Sequence, residues 1–92
     1  MKTRKKLTLP ATGDELVNLL VDAYGITDGA GLVLVQVAGQ ALDSALEAEA
    51  LIVRHGMVVE GERGLRANPA CAVSRDSRNR LLAALGKLNL EL

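Results

Sequence analysis

Residues 28–56 read DGAGLVLVQVAGQALDSALEAEALIVRHG, and this stretch decides the fold. Asp28 is a good helix N-cap residue, and Gly56 supplies the usual stop after Arg54 and His55. The polar residues of the stretch recur at spacings close to the helical repeat, so that they fall near a single line. We therefore predict one long helix from about Asp28 to His55. Its polar line consists of Gln36, Gln40, Asp43, Glu47 and Arg54.

The rest of this helix is apolar or small over most of its circumference. Such a helix needs to be buried nearly all round, and a chain of 92 residues has few other elements with which to cover it. We therefore expect neighbouring subunits to supply the cover. The side assigned to the subunit interface carries Leu32, Val35, Leu42, Leu46 and Val53. Another side carries Leu34, Ala38, Ala41, Ala45, Ala48 and Ile52.

A shorter helix is predicted ahead of the long one. Thr12 and Glu15 have the spacing of a capping box, and apolar residues then recur at helical spacing. The helix should run from about Asp14 to Tyr24 and end at Gly25. A tight turn then leads to Asp28, so the two helices should form a hairpin.

A β-hairpin and a third helix are predicted after the long one. Residues 57–60 read as a strand, 61–64 as a turn and 65–67 as the returning strand. Two strands alone are marginal in water, so this hairpin should lean on a helix or pair with a neighbour. Asn68-Pro69 is a strong helix start, with Asn as N-cap and Pro as the first helical residue.

The predicted fold class is therefore mainly α. It consists of a helical hairpin with one long central helix, a short β-hairpin and a C-terminal helix, in a chain that forms a ring-shaped oligomer. We expect residues 1–12 to be a flexible basic arm and residues 13–92 to be a single helical oligomerisation domain. Three residues are expected to be structural at the helix ends: Gly56, Asn68 and Pro69.

Charge is segregated along the chain although its formal sum is zero. The net charge is +4 over residues 1–10, −7 over 11–50 and +3 over 51–92. This pattern suits head-to-side self-association, or a basic surface offered to a polyanion. The candidate DNA-binding residues are Lys2, Arg4, Lys5 and Lys6 in the arm and Arg75, Arg78 and Arg80 in the third helix. A solubilising tail remains an alternative for the arm. For the arginines the alternative is pairing with Asp76, or with acids of a neighbouring subunit such as Glu47 or Glu49.

Motifs for catalysis or for cofactor binding do not form a convincing set. The chain has one His and one Cys, so neither a nucleophile with its base nor a metal cluster can be assembled from it. Gly29-Ala30-Gly31 lacks the remainder of a dinucleotide fingerprint. The absence of Phe and Trp argues against stacking on single-stranded nucleic acid. We expect no catalytic residue, no metal and no cofactor.

A cytoplasmic location is expected, without a membrane role. Cys71 is the single cysteine, which excludes an intramolecular disulfide framework. The basic start is not followed by the apolar run of a signal peptide, and the longest uncharged stretch, residues 29–42, is too short to span a bilayer.

Four segments taken in order resemble the small terminase subunit of tailed phages, in the branch with a Gly-Val-Val hairpin followed by an Asn-Pro motif. The resemblance covers most of the chain and rests on the order of the segments, since no single motif is diagnostic. The segments are Tyr24-Gly25-Ile26-Thr27-Asp28, then residues 54–61 (RHGMVVEG), then Ala67-Asn68-Pro69-Ala70, and last residues 82–90 (LAALGKLNL).

The resemblance implies a protein that forms a ring and binds double-stranded viral DNA at the start of packaging. It also implies that the DNA is presented to a separate large terminase subunit, which holds the ATPase and nuclease, in the cytoplasm of a bacterial host. In that picture the long helix forms much of the ring wall, Asn68 and Pro69 fix the direction of the third helix, and the basic arm is the first candidate for DNA contact.

Two other classes of protein remain open on the sequence. One is a small dimeric helical DNA-binding regulator or an antitoxin-like protein, and the other is a purely structural scaffold. A closed ring with a basic lumen or rim favours the terminase interpretation, whereas a two-fold dimer with a recognition helix favours the regulator.

Overall fold

The structure is a computed structural model that describes residues 10–88. These residues form α1 (Gly13–Tyr24), α2 (Gly29–His55), β1 (Val58–Gly61), β2 (Gly64–Ala67) and α3 (Pro69–Lys87). The mainly α fold with a long central helix, a short hairpin and a C-terminal helix is thus confirmed. With 27 residues, α2 is about 40 Å long, whereas the 12 residues of α1 span about 18 Å.

Small side chains join α2 to α3. The two helices are connected by the short β-hairpin and run in opposite directions. A line of small buried residues on each recurs at spacings of three and four, with the half-buried Leu81 between Ser77 and Ala84 on α3. Such spacing keeps one stripe of each helix facing the other over several turns, and small residues let the backbones approach closely. The buried residues are Ala38, Ala41, Ala45 and Ala48 on α2 and Ala70, Ser74, Ser77 and Ala84 on α3.

Two glycines bring α1 close to α2. A Cβ atom on Gly39 would lie 2.9 Å from the carbonyl oxygen of Gly13 and 2.9 Å from Cγ2 of Val17, which is closer than real side chains allow. At the same crossing, Asp43 Oδ1 accepts a hydrogen bond of 2.8 Å from the Gly13 N–H. Because that N–H has no partner within α1, the carboxylate of α2 acts as a second cap for the first turn of α1.

The predicted cap of α1 is present, with one difference. Thr12 Oγ1 accepts from the Glu15 N–H at 3.2 Å, as the capping-box spacing predicts. The Glu15 carboxylate reaches back to the N–H of Ala11, at 2.6 Å, rather than to that of the N-cap residue. Gly25 ends the helix in the left-handed conformation, with φ of 61°.

The hydrophobic core lies where all three helices meet. It is built from Leu16 and Leu20 of α1, Val35 and Ala38 of α2 and Ala84 of α3. Partly buried side chains surround this cluster: Val17, Val21, Ile26, Val37, Leu42, Leu81, Leu85 and Leu88. The core therefore occupies only the N-terminal half of α2, since none of its members on α2 lies beyond Leu42.

Asn68 fixes the junction between α2, the hairpin and α3. Its Oδ1 accepts from the Ala70 N–H at 3.0 Å, which is the predicted N-cap. Its Nδ2 also donates to the carbonyl oxygen of Gly56 at 2.8 Å, and its backbone N–H donates to the carbonyl oxygen of Met57 at 2.7 Å. The side chain is buried. One residue thus joins the end of the long helix to the start of the last, which spacing alone does not predict.

The β-hairpin is confirmed with slightly shifted bounds. Val58 pairs with Ala67 and Gly61 with Gly64, so the turn consists of Glu62 and Arg63 rather than of four residues. Within the described residues no further strand joins the sheet. Most of the side chains on both strands are exposed.

The close approach of α1 and α2 at Gly39 predicts the sign of the change in the free energy of unfolding when this glycine is replaced. Replacing glycine by alanine inside a helix usually raises the free energy of unfolding by about 0.5–1 kcal/mol. We expect Gly39→Ala to lower it instead, by about 1–3 kcal/mol, because the new methyl group forces α1 away from α2. Urea denaturation followed by circular dichroism, at one protein concentration, measures the change.

Gly86→Ala is the matched control for this prediction. Gly86 lies inside α3, and nothing stands within 4 Å of the position that a Cβ atom would occupy. This variant should therefore show the ordinary gain in stability. A gain of similar size at Gly39 would contradict the close approach of α1 and α2.

Candidate subunit interface

A second stripe of α2 runs beside the stripe that faces α3. Its members are spaced by four and three residues in turn, so they lie on one side of the helix. Val35, Gly39 and Leu42 come first, and Leu46, Glu49 and Val53 continue the same line. We call these six residues the α1-facing stripe, because α1 packs on the first three of them.

Exposure rises along this stripe as it runs past the end of α1. Val35 is 0% exposed, Leu42 is half-buried, Leu46 is 37% exposed and Val53 is 87% exposed. The cause is length, since α1 is less than half as long as α2 and its first turn already lies beside Asp43. Beyond the helix that covers the stripe, Leu46 and Val53 are apolar and Glu49 lies between them.

The predicted interface residues therefore separate into two groups. Val35 lies in the core of a single chain, so its assignment to a subunit interface is corrected: it has no surface left to offer another molecule. Leu42 packs against the same core and is only partly accessible. Leu32, Leu46 and Val53 are exposed and remain candidates for contact with another chain.

An open groove between α2 and α3 borders the uncovered end of the stripe. The guanidinium of Arg78 forms an ion pair with the carboxylate of Glu49, so this side of α3 is joined to the stripe on α2. The groove is lined by Ile52, Met57, Cys71, Ser74, Arg75, Arg78, Asn79 and Leu82. Met57 and Leu82 are both more than 60% exposed. We call the open face the surface made of Leu46, Glu49 and Val53 of α2, Met57, and Arg75, Arg78 and Leu82 of α3.

The three arginines assigned to DNA do not form one surface. Arg75 and Arg78 both line the groove, and Arg75 also contacts the carboxylate of Asp76, with Nε 3.4 Å from Oδ1. Arg80 follows Arg78 by two residues, a rotation of about 200° around the helix, and so lies on another side of α3. The pairing of Arg78 with Glu49 was one of the predicted alternatives, although it occurs within one chain.

The remaining DNA-binding candidates lie outside the described residues. They are Lys2, Arg4, Lys5 and Lys6, and together with the proposed flexible arm they stay a prediction. Pro69 is the first residue of α3 after the N-cap Asn68, and Gly56 follows α2 with a φ of 84°, so these three residues stand at helix ends.

Between residues 10 and 88, no group of three or more His, Cys, Asp or Glu side chains is placed so as to hold a metal ion. His55 is exposed in the last turn of α2, and Cys71 is partly buried with its Sγ 3.9 Å from the carbonyl oxygen of Met57. The expectation that the chain has no catalytic residue, metal or cofactor stays a prediction.

By length and composition, α2 is a helix able to cross a membrane. The central helix of a domain in water meets the same criteria when its apolar stripes are covered by other helices. Two stripes of α2 pack on α3 and α1, which accounts for part of its apolar character, while Leu32, Val33, Leu46, Leu51 and Val53 stay exposed. The expected absence of a membrane role is not tested by this property.

Comparison of the chain with protein-family models, with curated proteins and with solved structures finds no match. The resemblance to small terminase subunits therefore rests on the quoted segments and their order.

Two parts of this surface were not predictable from the sequence. Periodicity placed Leu46 and Val53 on one side of α2 with Val35, but only the position of α1 shows where the covered part ends. Glu49 was considered as a partner of the arginines across a subunit boundary, whereas its pairing with Arg78 within one chain depends on the register between α2 and α3. The shared spacing of small residues on the two helices was the available signal for that register.

Proposed function

We propose that the chain is a non-catalytic small terminase subunit that assembles into a ring, binds double-stranded viral DNA, and regulates or recruits the large terminase subunit for genome packaging. The observation that carries the proposal is the open face. It places exposed apolar side chains in line with a stripe that α1 covers on the same helix. Contiguous apolar surface of this kind is typical of protein interfaces.

The order of elements also supports the proposal. The resemblance to small terminase subunits rests on an order of elements that the chain has: a helical hairpin, a short β-hairpin and a final helix that begins at Asn68-Pro69. In this proposal Asn68 holds α3 against the end of α2, which keeps the open face rigid. A rigid face suits repeated contacts between identical subunits.

DNA contact is assigned to the basic arm in this proposal. Lys2, Arg4, Lys5 and Lys6 add four positive charges with no acid among residues 1–10. Such an arm neutralises phosphates without reading sequence. The bacterial host cytoplasm is the corresponding location.

A small dimeric helical DNA-binding regulator, or an antitoxin-like protein, is the alternative. The exposed residues Leu46 and Val53 are also compatible with a dimer, because those of two copies are able to pack on each other about a two-fold axis. The number of subunits separates the two functions, since the regulator requires two and a ring requires more.

Val53→Asp tests assembly through the open face. Because Val53 is 87% exposed in a single chain, the substitution should leave the fold intact and place a charge in the proposed interface. We expect the variant to elute as a smaller species than the wild type in size-exclusion chromatography, with an unchanged circular dichroism spectrum.

Gln40→Asp is the control for this substitution. Gln40 is exposed on the polar line of the same helix, so this variant should assemble as the wild type does. If Val53→Asp also keeps the size of the wild-type particle, the open face is not the assembly surface.

A salt titration tests DNA contact by the arm. Each phosphate contact lowers the logarithm of the binding constant by about 0.9 per decade of salt concentration. We therefore expect the double variant Lys5→Ala, Lys6→Ala to bind a DNA duplex more weakly and with a slope reduced by about 2. Fluorescence anisotropy with a labelled duplex measures both quantities.

Arg80→Ala is a suitable comparison, because it removes a cation from α3 and leaves the arm intact. If the arm variant keeps the wild-type slope, the arm does not contact DNA. If only Arg80→Ala reduces the salt dependence of the binding constant, the DNA contact lies on α3.

A further inference from the structure

The outward side of α1 carries an acidic stripe. Glu15, Leu19 and Asp22 are spaced by four and three residues, so they share one side of the helix, and all three are exposed. Leu19 is 41% exposed between the two acids. Within α1 there are three acidic residues and no Lys or Arg, so no cation of the helix itself neutralises this stripe.

The open face carries a matching stripe on α3. Arg75, Arg78 and Leu82 are spaced by three and four residues, again on one side of a helix, and Leu82 is 65% exposed. A guanidinium has five N–H donors. Arg78 contacts Glu49 through Nη2 and Arg75 contacts Asp76 through Nε, so both arginines keep donors for a further carboxylate.

The two stripes are complementary in chemistry and in length. Each combines two charged side chains with one exposed leucine over eight residues, a rise of about 10 Å, in the order acid, Leu, acid on α1 and Arg, Arg, Leu on α3. The uncovered part of α2 from Leu46 to His55 is about 15 Å long, close to the length of α1. The open face is therefore long enough to receive most of a helix of the size of α1.

We infer that the acidic stripe of α1 in one copy docks on the open face of a second copy. Leu19 then packs among Leu46, Val53 and Leu82, and the carboxylates of Glu15 and Asp22 meet Arg75 and Arg78. The contact joins two different surfaces, so every copy is able to offer one surface and receive the other. This inference rests on the proposed function, to which it adds the surfaces that join the subunits.

DNA is a poorer occupant of the open face than a second copy. A phosphate backbone on this surface would lie beside the carboxylate of Glu49 and the apolar side chains of Leu46 and Val53, to which it offers no partner. An acidic helix with an exposed leucine satisfies the cations and covers the apolar side chains together.

Charge reversal on each side tests the contact. The first variant carries Asn18→Arg and Asp22→Arg on α1, and the second carries Arg75→Glu and Asn79→Glu on α3. All four positions are exposed, and the changes in charge are equal and opposite. The cations of the first variant also lie in the later turns of α1, where they suit the helix dipole. Light scattering after size-exclusion chromatography gives the mass of each variant.

Either variant alone should lose the assembled particle and show the mass of a single chain, about 9.7 kDa, since like charges then meet at the interface. An equimolar mixture should assemble again, because each variant then meets its complement. Since the two variants must alternate, the wild-type mass is regained when the subunit number is even, and an odd number gives particles of another size. High salt should weaken the mixed particle. Circular dichroism checks that both variants remain folded.

The matched control carries Arg80→Glu and Ala83→Glu. It changes the charge of α3 by the same amount at exposed positions away from the groove, and it should assemble as the wild type does. If both reversed variants assemble normally, or if their mixture stays monomeric, the docking of α1 is overturned while assembly and DNA binding still stand. A monomeric wild type would overturn the proposed function as well. If the wild type has the mass of two copies and the charge-reversal variants are monomeric alone but pair when mixed, the docking is supported and the ring is overturned.

Discussion

The difference in length between α1 and α2 is the constraint on which the rest of the structure depends. One stripe of α2 is covered by α3 from Ala38 to Ala48, because small residues recur on both helices at similar spacings. The neighbouring stripe is covered by α1 over its first half only. Val35 is therefore a core residue, whereas Val53, on the same line, is almost fully exposed. The apolar residues left over are a consequence of this geometry, and they define the open face.

The helix ends keep that face in place. Asp43 caps α1 from α2, and the glycines at the crossing hold the first turn of α1 beside Gly39, so α1 is held over the first half of the stripe. At the other end, the Asn68 side chain forms hydrogen bonds with Gly56, the first residue after α2, and with the N–H of Ala70 in the first turn of α3. The groove that forms part of the open face thus ends at a fixed junction, and its two arginines, Arg75 and Arg78, lie on α3.

Local signals in the sequence were sufficient for the elements but not for their contacts. The caps at Thr12, Asp28 and Asn68 and the glycines after each of the first two helices were predictable, because each acts on its immediate neighbours. The burial of Val35 was not, because it depends on how far α1 extends along α2. Helical spacing alone separates Arg80 from Arg78, but which side of α3 lines the groove depends on how α3 packs on α2. The four cations of the basic arm, which the sequence makes the leading DNA candidates, lie outside the described residues.

The most direct test of the central claim is the mass of the wild-type particle by native mass spectrometry. The claim is that copies of the chain cover the open face of one another in a ring. It predicts one discrete particle, with a single subunit number of three or more, that persists at low protein concentration. A particle of two subunits would favour the regulator, and a monomer at all concentrations would contradict assembly through the open face.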